Sequence, residues 1–258
     1  MKIALWQTRP RSDVAAALDA LAEAADQAAQ AGADLLLTPE MAIGGYNIGA
    51  EAVAAHASEA ERILAALAEI ARTTGIALVA GLPLPGAPRP FNSCVALDAT
   101  GAERARYHKT HLFGQVDRDQ FAPGRALSDV FMLAGWRVSL AICYDIEFPE
   151  LARALARNEA DLILTPTANM APFDSVATRL VPARAEENAL FVAYCNYVGR
   201  EGRFDYNGLS CLCGPDGADL ARADGTAQTL LFAELDRAAL IQTRETQTHL
   251  HDRRSDLY

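Results

Sequence analysis

The strongest constraint in this chain is a set of short runs built on consecutive apolar residues. "KIALWQT" (residues 2–8), "ADLLLT" (33–38), "IALVAG" (76–81), "RVSLAIC" (137–143) and "DLILT" (161–165) are each too short for a stable buried helix. Such runs read as strands, and strands without polar alternation must be buried. Between them lie helical patterns. Residues 14–31 are Ala-rich with Leu18, Leu21, Ala25 and Ala28 at helical spacing, and Ser12 and Asp13 supply an N-cap. Residues 59–72 form another, with Ser58 as the expected N-cap and Gly75 as the stop. Residues 175–187 form a third.

Not every strand is separated from the next by a helix. "FNSCVALD" (91–98) is followed by the turn "ATGAE" and then by Arg104 to Tyr107, which reads as a hairpin. Further strands are expected at 130–133, 189–196, 209–213 and 229–234. Buried strands covered by helices, mixed with hairpins, indicate two mixed sheets with outer helices rather than a plain doubly wound sheet. At 258 residues, half of them apolar, one domain over 1–258 is expected, with a polar C-terminal tail from about residue 246 ending in "THLHDRRSDLY".

Charge and cysteine content narrow the function. A formal charge of −10, from 33 acids against 23 bases, argues against nucleic acid or an anionic membrane as partner. No run approaches the ~18 apolar residues of a membrane span, and the four-residue run before Gln7 is too short for a signal peptide. Five cysteines, an odd number, do not form a disulfide framework, so a cytoplasmic location is expected.

Three strand ends carry reactive groups. "LLLTPEM" ends on Glu40, where partial desolvation makes a carboxylate a better base near neutral pH. "RYHKTHLFG" ends a strand on Lys109, and "AICYDIEFPE" ends one on Cys143. Singly, each has an ordinary reading as a capping acid, a surface lysine or a core thiol. Together they are what thiol-based acyl transfer requires: a carboxylate that takes the thiol proton, a nucleophile, and a fixed positive charge for the oxyanion. Other constellations are weaker. Cys211 and Cys213 form a CxC pair with no second pair at zinc spacing, which reads as strand packing. His108 and His111 flank Lys109 without an HExxH pattern, so no metal site is expected, and His108 lacks an orienting partner for a Cys–His dyad.

"TPEM", "YHKTHLFG" and "ICYDIEFPE", in this order and spacing, resemble the three signature blocks of the carbon–nitrogen hydrolase (nitrilase) superfamily. The resemblance extends through "TPTANM" (165–170) and "ARAEEN" (183–188). It implies a four-layer αββα sandwich of two mixed β-sheets with outer helices, with Cys143 as nucleophile, Glu40 as general base and Lys109 as oxyanion donor beside the backbone N–H of Tyr144. It implies no metal and no organic cofactor, a small-molecule amide substrate, and a homodimer or larger assembly. Where many members carry a second glutamate eight residues after the lysine, this chain has the shorter Asp117.

"GYNIG" (45–49) and "CYDIEFPE" are most similar to aliphatic amidases of the 5-aminopentanamidase-like type. Tyr46, Glu147 and Asn169 are the substrate-binding candidates. Members acting on substrates that end in a carboxylate often have an arginine four residues after the cysteine, so Glu147 implies an ammonium tail instead. Asp145 is expected to brace the strand-to-helix elbow, and Glu150 to sit in the first turn of the next helix. The expected activity is hydrolysis of a small linear amide, possibly an amino-amide, to acid and ammonia through a thioester. A nitrilase, an N-carbamoyl amide hydrolase and a non-catalytic binding protein remain the alternatives.

Overall fold

A computed structural model describes residues 1–257. The first sheet contains β1 (Lys2–Gln7), β2 (Leu35–Leu37), β3 (Ala77–Leu84), β4 (Phe91–Leu97) and β5 (Glu103–His108). The second contains β6 (Phe131–Leu133), β7 (Trp136–Leu140), β8 (Leu162–Pro166) and β9 (Phe191–Cys195). A hairpin of β10 (Val198–Glu201) and β11 (Phe204–Asn207) stands apart. β12 (Cys211–Cys213) and β13 (Asp219–Arg222) complete the second sheet, and β14 (Thr229–Glu234) returns to the first. The strand orders are β14-β1-β2-β3-β4-β5 and β13-β12-β9-β8-β7-β6. Each sheet has a parallel centre, β1–β2–β3 and β7–β8–β9, flanked by antiparallel strands.

Successive side chains on a strand point to opposite faces, and both faces of the central strands are covered. Leu35 and Leu37 join Val79, Leu140, Leu162 and Leu164 in the core between the sheets. Leu36 points the other way, onto helix α1 (Val14–Gln30). α2 (Ala50–Ser58) and α3 (Ala60–Thr74) follow, and α3 shares that outer core through Ile63 and Leu67. A short helix, α4 (Gly114–Gln120), lies near the strand ends. On the far side, Ile163 and Val192 pack against α5 (Pro149–Arg157) and α6 (Val181–Glu186). The layers are therefore helix, sheet, sheet, helix, the expected αββα sandwich.

Several local readings are corrected. Ser58 is the last residue of α2, not the cap of the next helix, and Glu59 occupies the N-cap of α3 with no side-chain cap bond. The helix expected over 175–187 opens as a π-helical turn (Val176–Leu180) before α6. Pro182 contributes to that break, because it has no N–H to donate back along the helix. At the C-terminus, α7 (Arg237–Thr246) is tied down by buried Leu240 and by Arg244, which pairs with Asp161 at 2.9 Å. A four-residue helix, α8 (His249–Asp252), lies within the expected tail.

Candidate active site

The sheets bring three chain segments to one place. β2 runs out through Pro39 to Glu40, whose backbone N–H donates to Thr167 O at 3.2 Å just beyond β8. β5 ends at His108, so Lys109 follows it directly. β7 is followed by Ala141 and Ile142 and then a 3-10 turn, Cys143–Glu147. Cys143 opens that turn with φ +47°, and Met41 beside Glu40 has φ +52°. Left-handed backbone at non-glycine residues costs roughly 1–3 kcal/mol each and persists where surrounding structure enforces it.

Asp145 is a principal enforcer. Fully buried, its carboxylate accepts from Tyr107 Oη (2.9 Å), Thr110 Oγ1 (2.9 Å), His111 N (2.9 Å) and Ile142 N (3.1 Å), with His111 Nδ1 at 2.8 Å. It thus links the segment after Lys109 to the turn that carries Cys143. The bracing role expected of it holds, and Glu150 lies in the first turn of α5 as expected.

Glu40, Lys109 and Asp117 are each 0% exposed. Lys109 Nζ donates to Glu40 Oε1 at 2.6 Å and pairs with Asp117 Oδ2 at 2.7 Å. Asn92 Nδ2 donates to the same Glu40 oxygen at 2.6 Å. Asp117, on α4, also accepts from Tyr46 Oη (2.7 Å) and Phe113 N (2.8 Å). Among the described residues Glu40 Oε2 has no hydrogen-bond partner, although it is buried.

Burial raises the pKa of Glu40, with the charge of Lys109 opposing and that of Asp117 reinforcing the shift. Burial works to lower Lys109, but Asp117 and Glu40 outweigh it and hold the ammonium well above its usual range. The Cys143 thiol is pushed well up by burial and by Glu40, while Lys109, Thr167 and Ala168 pull the other way. A thiol in this state needs a base to give up its proton. The free oxygen of Glu40 is a suitable acceptor.

Above this group lies a cavity of about 210 Å³ lined by Tyr46, Phe113, Cys143, Tyr144, Glu147, Ala168, Asn169, Met170 and Phe173. All three substrate-binding candidates line it. Asn169 Nδ2 donates to Phe173 O at 3.0 Å, closing the loop that forms one wall. Glu147 is the one charged residue among the lining residues, and burial raises its pKa against the pull of Lys109 and Arg184. Phe113, Met170, Phe173 and Asn92 were not anticipated from sequence. Asn92 lies in a recognisable strand but gives no sign of its contact with Glu40, 52 residues away.

His108 is occupied elsewhere, its Nδ1 2.7 Å from Ser93 Oγ and its ring stacked on Phe91. Cys211 and Cys213 are buried against α6, as strand packing requires. Their sulfurs and an Asp219 oxygen lie within 4.8 Å of one another, but Arg222 donates twice to that carboxylate at 2.6 Å.

Residues 2–245 match the carbon-nitrogen hydrolase family. A Pseudomonas protegens protein described as "Hydrolase in pqqF 5'region" is 43% identical over the whole of this chain and 90% of its own length. An (R)-stereoselective amidase of Pseudomonas sp. is 34% identical, over 86% of this chain and 80% of that protein. The solved amidase of Nesterenkonia sp. AN1 superposes with a TM-score of 0.90 at 37% identity, covering 100% of this chain and 98% of that one. A variant of that amidase, at TM-score 0.90 and 36% identity over 100% and 95% of the two chains, carries the acetamide moiety of fluoroacetamide covalently added at its active site cysteine.

Proposed function

The chain belongs to the carbon-nitrogen hydrolase family and is an amidase-type hydrolase, and we propose that Cys143 is its nucleophile, with Glu40, Lys109 and Asp117 as the supporting machinery. The Cys143 sulfur attacks the amide carbonyl carbon while its proton passes to Glu40. Negative charge developing on the carbonyl oxygen is received by Lys109 Nζ and the backbone N–H of Tyr144. Glu40 returns the proton to nitrogen, the C–N bond breaks, and ammonia leaves a thioester on Cys143. Glu40 then takes a proton from water as it attacks the thioester, and collapse releases the acid and restores the thiol. Every proton and charge is handled by this chain's own groups, so the route calls for no metal or organic cofactor.

The observation that carries this reading is the asymmetry of Glu40. One oxygen is saturated by Lys109 and Asn92, while the other is buried without a partner among the described residues. A buried acceptor left unpaired costs stability, which is expected where the oxygen is kept for a transferred proton. Asp117 supports the reading as anchor of Lys109, reaching it despite being shorter than glutamate. The test is an acid quench of enzyme mixed with a simple amide, followed by mass analysis. An acyl adduct on Cys143, with ammonia and no carbon dioxide released, is the expected result. No adduct in a binding-only protein, or turnover of the nitrile in preference to its amide, discards it.

Glu147 points to amino-amides as the preferred substrates. Its carboxylate has no hydrogen bond or ion pair among the described residues, because Arg184 is held by the carbonyls of Ile146 and Glu147 and by Glu187. The rest of the wall is largely aromatic, from Tyr46, Phe113, Tyr144 and Phe173. Aromatic faces with an unpaired carboxylate favour an ammonium group. With their side chains ionised, Lys109, Glu40 and Asp117 sum to −1, and Glu147 makes the site −2, which disfavours a carboxylate tail. The ratio of kcat/KM for a five-carbon amino-amide to that for the matching amide-acid should fall at least ~10-fold in Glu147→Gln and further in Glu147→Arg. A ratio unchanged in both variants removes Glu147 from substrate recognition.

We propose that the chain is one domain, and we place the enzyme in the cytoplasm, a location supported by five unpaired cysteines. Among the described residues no helix is long and apolar enough to cross a membrane. We propose a homodimer or larger assembly on the family resemblance, which sedimentation of the purified protein tests.

A further inference from the structure

The hairpin β10–β11 pairs with neither six-stranded sheet, yet it touches both walls of the cavity. On one side Glu201 carries the contact. Its Oε1 accepts from Tyr46 N at 3.1 Å, and its Oε2 accepts from Asn47 N at 2.7 Å and from Tyr206 Oη at 2.6 Å. No cation pairs with this carboxylate among the described residues, so backbone N–H dipoles and one phenol hold the charge. The approach is close enough to dictate sequence. Gly45 has φ +90°, and a Cβ there would sit 2.7 Å from Glu201 Oε1.

On the other side the hairpin binds the 169–174 loop. Ala171 N donates to Asp205 O at 2.9 Å, Asn207 N donates to Asn169 O at 3.3 Å, and Asn207 Nδ2 donates to Asp174 Oδ1 at 2.7 Å. Those contacts do not involve Glu201. The Glu201 contacts lead inward instead. Tyr46, whose backbone it fixes, donates its hydroxyl to Asp117 at 2.7 Å, and the Tyr46 ring faces Lys109 Nζ at 5.6 Å.

We infer that Glu201 is a positioning residue for the reaction: by holding the backbone of Tyr46 it sets Asp117, and through Asp117 it aims Lys109 at the oxyanion. This rests on the roles proposed above for Cys143 and Lys109. Glu201 lies outside the reacting group and is not itself among the residues lining the cavity; it reaches them only through Tyr46. Replacing it with glutamine puts an NH2 group against one of the donors that now converge on the carboxylate, which releases the 45–47 segment. The opposite wall stays attached through Asp205 and Asn207, so substrate binding changes less than turnover.

The test is a double-mutant cycle on butyramide, an uncharged amide with no charged tail for Glu147 to receive. Glu201→Gln should lower kcat at least ~10-fold with KM altered less than ~3-fold. In a Tyr46→Phe background, which lacks the hydroxyl bond to Asp117, the same change should cost less than ~3-fold, because residues acting through one contact are not additive. A merely structural role lowers Tm without that dependence on Tyr46. Wild-type kinetics in Glu201→Gln, or equal losses in both backgrounds, overturns the inference. Should Glu201→Gln not fold, Tyr206→Phe removes one donor from the carboxylate, and its kcat loss must show the same dependence. Cys143→Ala separates the two readings. Turnover surviving that change discards the thioester route, whereas an inactive Cys143→Ala with additive Glu201 and Tyr46 losses discards this inference alone.

Discussion

Replacing Lys109 with methionine tests whether the buried triad is held by charge. Lys109 is fully buried between two carboxylates at 2.6 and 2.7 Å, each also fully buried. Methionine keeps the approximate length and removes the one cation, leaving two acids facing each other. Their remaining donors are Asn92 on Glu40 and Tyr46 and Phe113 on Asp117, all neutral. Breaking a buried pair in this way costs about 3–5 kcal/mol, because an uncompensated charge stays inside. Each kcal/mol moves Tm by about 2–4 °C in a chain near this size, so Tm should drop roughly 6–20 °C at pH 8. Asp117→Asn should cost less, about 1–3 kcal/mol, because Lys109 and Glu40 then remain as a neutral pair.

The pH dependence gives the sharper discrimination. Lys109 lowers the pKa of Glu40 through its charge and its hydrogen bond, against a burial effect that already holds that pKa above the ordinary 4.5. Without Lys109, Glu40 keeps its proton to higher pH in the folded state than in the unfolded chain. The folded variant then binds more protons than the unfolded one above about pH 4.5, so its stability falls as pH rises through that window. The deficit against wild type should therefore be smaller at pH 5 than at pH 8. Calorimetry of both proteins at the two pH values measures it. A deficit that is equal at both, or a wild-type Tm at pH 8, refutes the reasoning.

Cys143→Ser should fold normally yet lose nearly all ammonia release, while Cys94→Ser, Cys195→Ser, Cys211→Ser and Cys213→Ser keep measurable activity. The acid limb of kcat/KM should lie above pH 4.5, because burial raises Glu40, and should move to lower pH in Asp117→Asn, which removes a charge that raises it further; an unmoved limb assigns that titration to another group. Asp145→Asn should destabilise by about 2–5 kcal/mol, because an amide presents a donor where donors from four residues converge on the carboxylate, and a denaturant midpoint unchanged from wild type would contradict this.

What was legible in the sequence follows from how far each residue's partner lies along the chain. Leu35 to Leu37 read as a buried strand because burial on both faces leaves no polar alternation, a property of the run itself. Which face meets which layer, Leu35 and Leu37 inward against Leu36 outward, depends on a second sheet about 100 residues later and has no local mark. α2 has no clear mark in the sequence, for the opposite reason. "AEAVAAHAS" buries only Val53 and Ala57, so its periodicity is weak, and Ser58 looked like the start of the next helix when it is the end of this one.

The same distinction runs through the site. Glu40, Lys109 and Cys143 stand out because a reactive group just beyond an apolar strand is conspicuous wherever its partners are. Glu201 does not, since it belongs to a short polar hairpin and acts on residues 154 and 155 positions earlier. The glycines of "GGYNIG" were its one local trace. Gly45 at φ +90° leaves room for a carboxylate that arrives from the other half of the chain, and nothing within the motif says what fills that room.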